Sequence, residues 1–211
     1  MELYGSKLAP NSDRVEMFLA EKGVEIPFHG LNLMKGEHYQ DSYRKLAPNR
    51  RVPCLVLDDG TAIRESIAIC RYIEELHPEP CLFGDTALER AQVEMWQRLM
   101  EMELMMPIAM SFRHGHPGGK MLENPQIPEY GAAQQQVALK RIKVLNKELA
   151  DRQFLLGDTF CVADITAYIA LGFGKIVKIR PSVEEHPNVM RYMETIAARP
   201  SAQAIRPEKA A

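Results

Sequence analysis

Residues 47–73 read APNRRVPCLVLDDGTAIRESIAICRYI, and the way this stretch divides decides the fold. Two strand-like runs, PCLVL and TAIR, flank Asp58, Asp59 and Gly60, and Asp-Gly between apolar runs marks a tight β-hairpin. Pro53 stands just before the first strand of that hairpin, where a cis bond can turn the chain. The second strand runs directly into Glu65 and Ser66, and Ser66 reads as the N-cap of a helix, IAICRYIEELHP, that ends at Pro78.

Working upstream, ELYG is strand-like, and the spacing of Val15, Phe18 and Leu19 predicts a helix over 12–22 that Gly23 ends. IPFHGLNL reads as a second strand. Strand, helix and strand in succession make a right-handed parallel crossover, and a short helix near residues 38–46 leads to the hairpin. Residues 1–78 therefore predict a βαβ-α-ββα domain. Downstream the grammar changes. HPEPCLFGD holds three turn-formers and supplies a linker at 79–85. From residue 86 to 211 only helical patterns appear, so the second domain is expected to be all-helical. ALERAQVEMWQRLMEMELMM reads as one helix up to Pro107. A second helix, AAQQQVALKRIKVLNKELADR, spaces Val137, Ile142, Leu145 and Leu149 for a buried face. CVADITAYIALGF is apolar almost throughout and is expected at the centre, with PNVMRYMETIAAR bounded by Pro187 and Pro200.

Bulk properties exclude several classes. Lys and Arg number 26 against 28 Asp and Glu, so no global charge draws nucleic acid or an acidic membrane surface. No apolar run approaches the roughly 18 residues of a membrane span, and the N-terminus lacks a basic region followed by an apolar core; the expectation is a cytoplasmic protein. Cys54, Cys70, Cys81 and Cys161 form no C-x-x-C pair, which argues against a disulfide framework or a thiol redox motif. His114 and His116 lack nearby carboxylates or thiolates, so no metal is expected.

The order of these elements, together with LYGSKLAPNSDRVEMFLAEKG, the 47–73 stretch and FLLGDTFCVADITAYIAL, resembles the cytosolic glutathione transferases. The resemblance spans essentially the whole chain. It implies a thioredoxin-like N-terminal domain that binds glutathione as cosubstrate, a helical domain that supplies the second-substrate pocket, and a homodimer. Glu65 and Ser66 match the family's ES pair, which holds the γ-glutamyl group; a helix N-terminus attracts a carboxylate and Glu65 can pair with an ammonium. Val52 precedes the family's cis-proline, Pro53, and pairs through its backbone with the cysteinyl part of the tripeptide. His38 and Arg51 align with residues that grip the glycine carboxylate, with Lys35 as a nearby alternative.

The reactive loop departs from the common pattern. A free thiol is only a few per cent ionised at neutral pH, so such an enzyme gains by stabilising the thiolate. The serine-using classes place the donor hydroxyl where this chain has Ala9. APN instead resembles the TPN of nu-like bacterial and fungal relatives, whose Asn approaches the sulfur. On that resemblance Asn11 is the leading thiol donor and Ser12 a second, helped by their backbone N–H groups. Plain helix capping is the alternative for both, and Tyr4 reads as a packed strand aromatic. Met106, Met110, Arg113 and His114 are candidates for the second-substrate pocket, since a Met-rich surface adapts to apolar ligands; core packing and a dimer seam compete for the same residues. Conjugation of an electrophile is the leading activity, with disulfide reduction or peroxidase activity, or non-catalytic glutathione binding, as alternatives.

Overall fold

A computed structural model describes residues 1–7 and 9–205; the end of the 86–211 range, from 206 on, lies outside them. The chain forms two compact units, one of Met1–Cys81 joined by the chain from Arg199 on, the other of Leu82–Ala198.

The first unit is built on a four-stranded mixed sheet in the order β2-β1-β3-β4. Strand β1 (Glu2–Gly5) pairs parallel with β2 (Phe28–Gly30) and antiparallel with β3 (Cys54–Val56), which pairs antiparallel with β4 (Ala62–Arg64). The expected crossover and hairpin are both present, and the whole is a thioredoxin-like domain. Strand alternation sends Leu3 and Leu55 into the core and Tyr4, Cys54, Val56 and Ala62 to a second cluster around Tyr43 and Ala47. The second strand is shorter than the apolar run IPFHGLNL predicts, because Leu33–Lys35 and Glu37–Tyr39 wind into single 3₁₀ turns before α2 (Asp41–Leu46).

Helix α1 (Pro10–Lys22) starts earlier than its apolar spacing predicts. Its N-cap is Ala9, with no side-chain cap, and Pro10 takes the first turn, where a missing N–H costs nothing. Neither Asn11 nor Ser12 is the cap. Gly23 ends the helix in the left-handed conformation. Helix α3 (Ser66–Leu76) has Glu65 at its N-cap position with no side-chain cap, and Ser66 is its first helical residue. That corrects the sequence expectation by one position: Glu65 has φ of 73°, and this turn of the backbone brings Ser66 into the helix.

In the second unit, α4 (Ala87–Leu99) opens on a Thr86/Glu89 capping box. It does not end at Pro107. A π-helical segment, Met100–Met105, carries the chain into α5 (Met106–Gly115), and Pro107 lies in the first turn of α5, where Pro is accommodated. Helix α6 (Pro128–Glu148) buries Ala138, Ile142 and Leu145, followed by Leu149. Ile142, Leu145 and Leu149 are buried as their spacing predicts, whereas Val137 is 43% exposed and Ala138 takes its place on the buried face. Helix α7 (Val162–Gly174) is buried nearly throughout and is followed by α8 (Pro187–Ala197). The short α9 (Pro200–Ala204) returns to the first unit and packs on α1. No helix among the described residues is long and apolar enough to cross a membrane.

Candidate functional site

The turn between β1 and α1 determines what the reactive loop can offer. The Ser6 N–H donates to Ser12 Oγ at 3.1 Å, and Ser12 is 0% exposed. A Cβ at Gly5 would sit 3.0 Å from Ser12 Oγ and 2.7 Å from the Phe28 ring, so the strand needs glycine there to let the hydroxyl approach. The Ser12 N–H donates to the Ala9 carbonyl at 2.8 Å. Ser12 thus uses an oxygen lone pair and its N–H on the shape of the loop, and its hydroxyl hydrogen remains a donor. Asn11 is exposed, and its Oδ1 accepts from Arg14 Nη1 at 3.2 Å. That contact from buried Arg14 fixes the orientation of the amide and leaves the Nδ2 hydrogens directed elsewhere.

Tyr4 donates to Glu2 at 3.0 Å and stacks on His29 with centroids 4.7 Å apart. The hydrogen bond to Glu2, with burial, holds its phenol above the ordinary range, as a packed strand aromatic requires.

Val52 is half-buried and its bond to Pro53 is cis. Among the described residues neither its N–H nor its carbonyl takes part in a hydrogen bond, while the Tyr43 hydroxyl holds the adjacent Arg51 carbonyl at 2.5 Å. His38 is buried with Nδ1 unpartnered. Burial, then the charges of Arg51 and Arg50, hold its imidazole below its usual range, so the three groups are neighbours. Arg50, in the left-handed region at φ 55°, also lies over the Tyr39 ring at 5.4 Å. Lys35 is exposed and has no such tie.

Glu65 and Ser66 part company in exposure. Ser66 is buried in the first turn of α3, whereas Glu65 is exposed. A left-handed conformation is costly for a non-glycine residue, and here it sets Glu65 on the wall of a depression of about 460 Å³ lined by Asn49, Ala62, Ile63, Arg64 and Glu65. Arg14, Arg50, Asn49 and Arg64 stand beside these candidates in the structure and were not singled out from the sequence. Their types carry no motif, and only Arg50, beside Arg51 in the basic pair, left a signal.

In the second unit the Met cluster divides. Met100 and Met105 are buried, Met102 and Met106 are exposed, and Met110 is half-buried. Arg113 lies 3.7 Å from Glu123. His114 is buried; its Nδ1 accepts the Ile127 N–H at 3.1 Å, and its ring meets Tyr130 edge-on. His114 thus anchors the loop between α5 and α6. Among the described residues no three His, Cys, Asp or Glu side chains group as a metal site would.

These two units in this order, a thioredoxin-like domain and then an all-helical one, define a class of protein. Residues 3–81 match the family model of the glutathione S-transferase N-terminal domain, and residues 99–200 that of the glutathione S-transferase C-terminal domain. The chain is 35% identical to glutathione S-transferase 2 of Saccharomyces cerevisiae, over 97% of this chain and 89% of that protein. Among solved structures, Gtt2 of the same yeast superposes with a TM-score of 0.91 at 35% identity, covering 98% of this chain and all of that one. A glutathione S-transferase domain-containing protein of Marinobacter aquaeolei gives a TM-score of 0.90 at 38% identity, covering 95% and 99%. The chain belongs to the glutathione S-transferase family, with a Gtt2-type fold, and that membership implies glutathione as cosubstrate.

Proposed function

We propose that the protein conjugates glutathione to a small electrophile in the cytoplasm, with Asn11 as the group that stabilises the glutathione thiolate. The observation that supports Asn11 is the Arg14 contact, which occupies its amide oxygen and leaves the NH₂ of this exposed residue as a donor. Ser12 acts on this reading through the loop, by holding Ser6 and Ala9. Glutathione lies along Val52, its γ-glutamyl group at Glu65 and the Ser66 end of α3, its glycine carboxylate near His38 and Arg51 with Lys35 beside them. Proton loss from the thiol leaves an anion that attacks the electrophile, so no protein nucleophile is needed. Met106, Met110 and Arg113 contact the electrophile, and His114 supports them by fixing the adjoining loop.

Loss of a hydrogen bond to a charged group costs about 1.5–3 kcal/mol, which is roughly one to two pKa units. The Asn11→Ala variant is therefore expected to raise the pKa of bound glutathione by that amount and to lower chlorodinitrobenzene turnover most at acid pH. The ultraviolet absorbance of the thiolate, titrated in the binary complex, measures it. An unmoved pKa with full turnover would remove Asn11 from this role.

Ala9 favours a second reading, disulfide reduction. There the bound thiolate attacks a disulfide sulfur, expels the other thiolate, and a second glutathione resolves the mixed disulfide. Faster turnover of hydroxyethyl disulfide than of chlorodinitrobenzene would select it.

The chain is also read as a homodimer. Leu88, Met95 and Met102 are all exposed and recur every seventh residue along α4 and its π-helical continuation, an apolar stripe of the kind a partner covers. Placing glutamate at both Met95 and Met102 is expected to halve the mass measured by light scattering. A dimer that survives both substitutions places the seam elsewhere.

A further inference from the structure

A second hollow in the thioredoxin-like unit, of about 550 Å³, lies between α1, the turn that ends it and the start of β2. Glu16, Ala20 and Gly23 follow one another along one line of α1 and form a wall, and the small residues at 20 and 23 leave the space unfilled. Gly23 takes the left-handed conformation and the Val24 N–H returns to the Leu19 carbonyl at 3.0 Å, a turn that brings Glu25 and Ile26 into the lining. The rest is apolar, with Leu3 and Leu19 buried and Ile26 and Phe28 half-buried. Charge gathers at Glu16. The Lys7 ammonium lies over the Phe28 ring, 4.7 Å from its centroid, and pairs with Glu16 Oε2. The second oxygen, Oε1, is buried without a partner, and Glu25 adds an exposed carboxylate. A carboxylate beside an aromatic face is a site for an organic cation, and here the protein's own lysine occupies it. The Lys7 side chain is 66% exposed, so little burial holds it in place.

We propose that this hollow binds an organic amine with an apolar body: the ligand's ammonium displaces that of Lys7 from Glu16 and the Phe28 face, while its apolar part lies on Leu3, Leu19 and Ile26. A primary ammonium carries three N–H donors, so an incoming amine can meet both Glu16 oxygens where Lys7 meets one. The exchange is favourable because Lys7 gives up a largely exposed ion pair, worth little in water, and the ligand buries apolar surface that a lysine tethered outside the hollow leaves wet. Anionic amphiphiles are excluded, since Glu16 and Glu25 repel them. None of the residues assigned to glutathione or to the electrophile lines the hollow, so its occupant is independent of the transferase reading.

The test titrates the full chain with dansylcadaverine, a naphthalene joined to a primary ammonium by an alkyl chain, and follows its fluorescence. Saturable binding is expected, with its desamino analogue about ten-fold weaker, the range of one charge-assisted contact. Glu16→Gln should weaken the amine by about the same factor and leave the desamino analogue unchanged. Lys7→Met is expected to act in the opposite direction and tighten the amine about two- to five-fold, because the internal competitor is gone. That substitution touches an exposed side chain and keeps the test open where Glu16→Gln fails to fold. Saturating S-hexylglutathione, which occupies the glutathione site, should leave the Kd unchanged. Equal binding of the amine and its desamino analogue would overturn the proposal, as would a Lys7→Met Kd that is unchanged or weaker. Displacement of the probe by S-hexylglutathione would place it in the transferase site and overturn the proposal while leaving the transferase reading intact.

Discussion

Replacing Asp164 with alanine is expected to destabilise the helical unit by about 3 kcal/mol or more, the lower end for leaving three buried donors unpaired at roughly 1–3 kcal/mol each. Asp164 is 0% exposed. Its Oδ1 accepts the Leu155 N–H at 2.9 Å and the Tyr192 hydroxyl at 2.8 Å, and its Oδ2 accepts the Cys161 N–H at 2.9 Å. One carboxylate therefore joins the loop before α7, the first turn of α7 and helix α8. Taken locally, Cys161 and Asp164 have the spacing of a capping box that lacks the usual hydroxyl residue. In the structure Cys161 fills the first position of the box, and the cross-links to Leu155 and Tyr192 make the residue far more than a cap. Burial pushes the Asp164 carboxyl up to about 6, against the pull of those hydrogen bonds. Between pH 4 and 6 the folded state holds this proton more tightly than the unfolded chain, so the contribution of this group falls as pH rises through that window and is level above it. The urea midpoint compared at pH 7.5 gives the cleanest reading. Tyr192→Phe removes one donor and should cost about 1 kcal/mol. An Asp164→Ala variant that loses no more than Tyr192→Phe would disprove the three-way junction.

Glu21→Ala is expected to cost the thioredoxin-like unit about 1–2 kcal/mol, between an exposed and a buried ion pair, because Arg199 is 32% exposed and water can take up its charge. Arg199 grips Glu21 through two bonds of 2.7 Å, and the Ser201 hydroxyl donates to the same carboxylate. The Glu21 side chain is 9% exposed. Burial pushes this carboxyl up, but the bonds from Arg199 and Ser201 and the guanidinium charge outweigh it and hold the group below its ordinary range. The folded pKa is depressed, so the stabilisation is present above pH 4.5 and lost as pH falls through the folded value. Thermal melts of wild type and Glu21→Ala should therefore differ most at neutral pH and converge as the pH is lowered toward 3. A gap that is constant with pH would show that the carboxylate charge contributes nothing. Truncating the chain after Ala198 should reproduce the neutral-pH loss, because it removes Arg199, Ser201 and the α9 contacts with α1 together.

Much of the site was legible because its parts lie close in sequence. Val52, Pro53, Glu65 and Ser66 fall within one stretch whose hairpin and helix follow from Asp59-Gly60 and from the spacing of Ile69, Cys70 and Ile73, all three buried. The division of labour in the reactive loop was hidden. Asn11 and Ser12 are adjacent polar residues with similar capping propensities, and nothing local distinguishes the one directed to solvent from the one whose oxygen receives the Ser6 N–H.

The sequence by itself determined the order and kind of the elements, because hydrophobic period, Gly and Pro punctuation and turn chemistry act over a few residues. It fixed β1, the crossover, the hairpin and the run of helices, and it located the apolar α7 at the centre of the second unit. Tertiary structure alone carried the chain past Pro107 through a π-helical segment and bound Arg199 to Glu21, 178 residues away. Those outcomes depend on partners brought together only when the chain closes, and a long-range ion pair leaves no trace in local pattern.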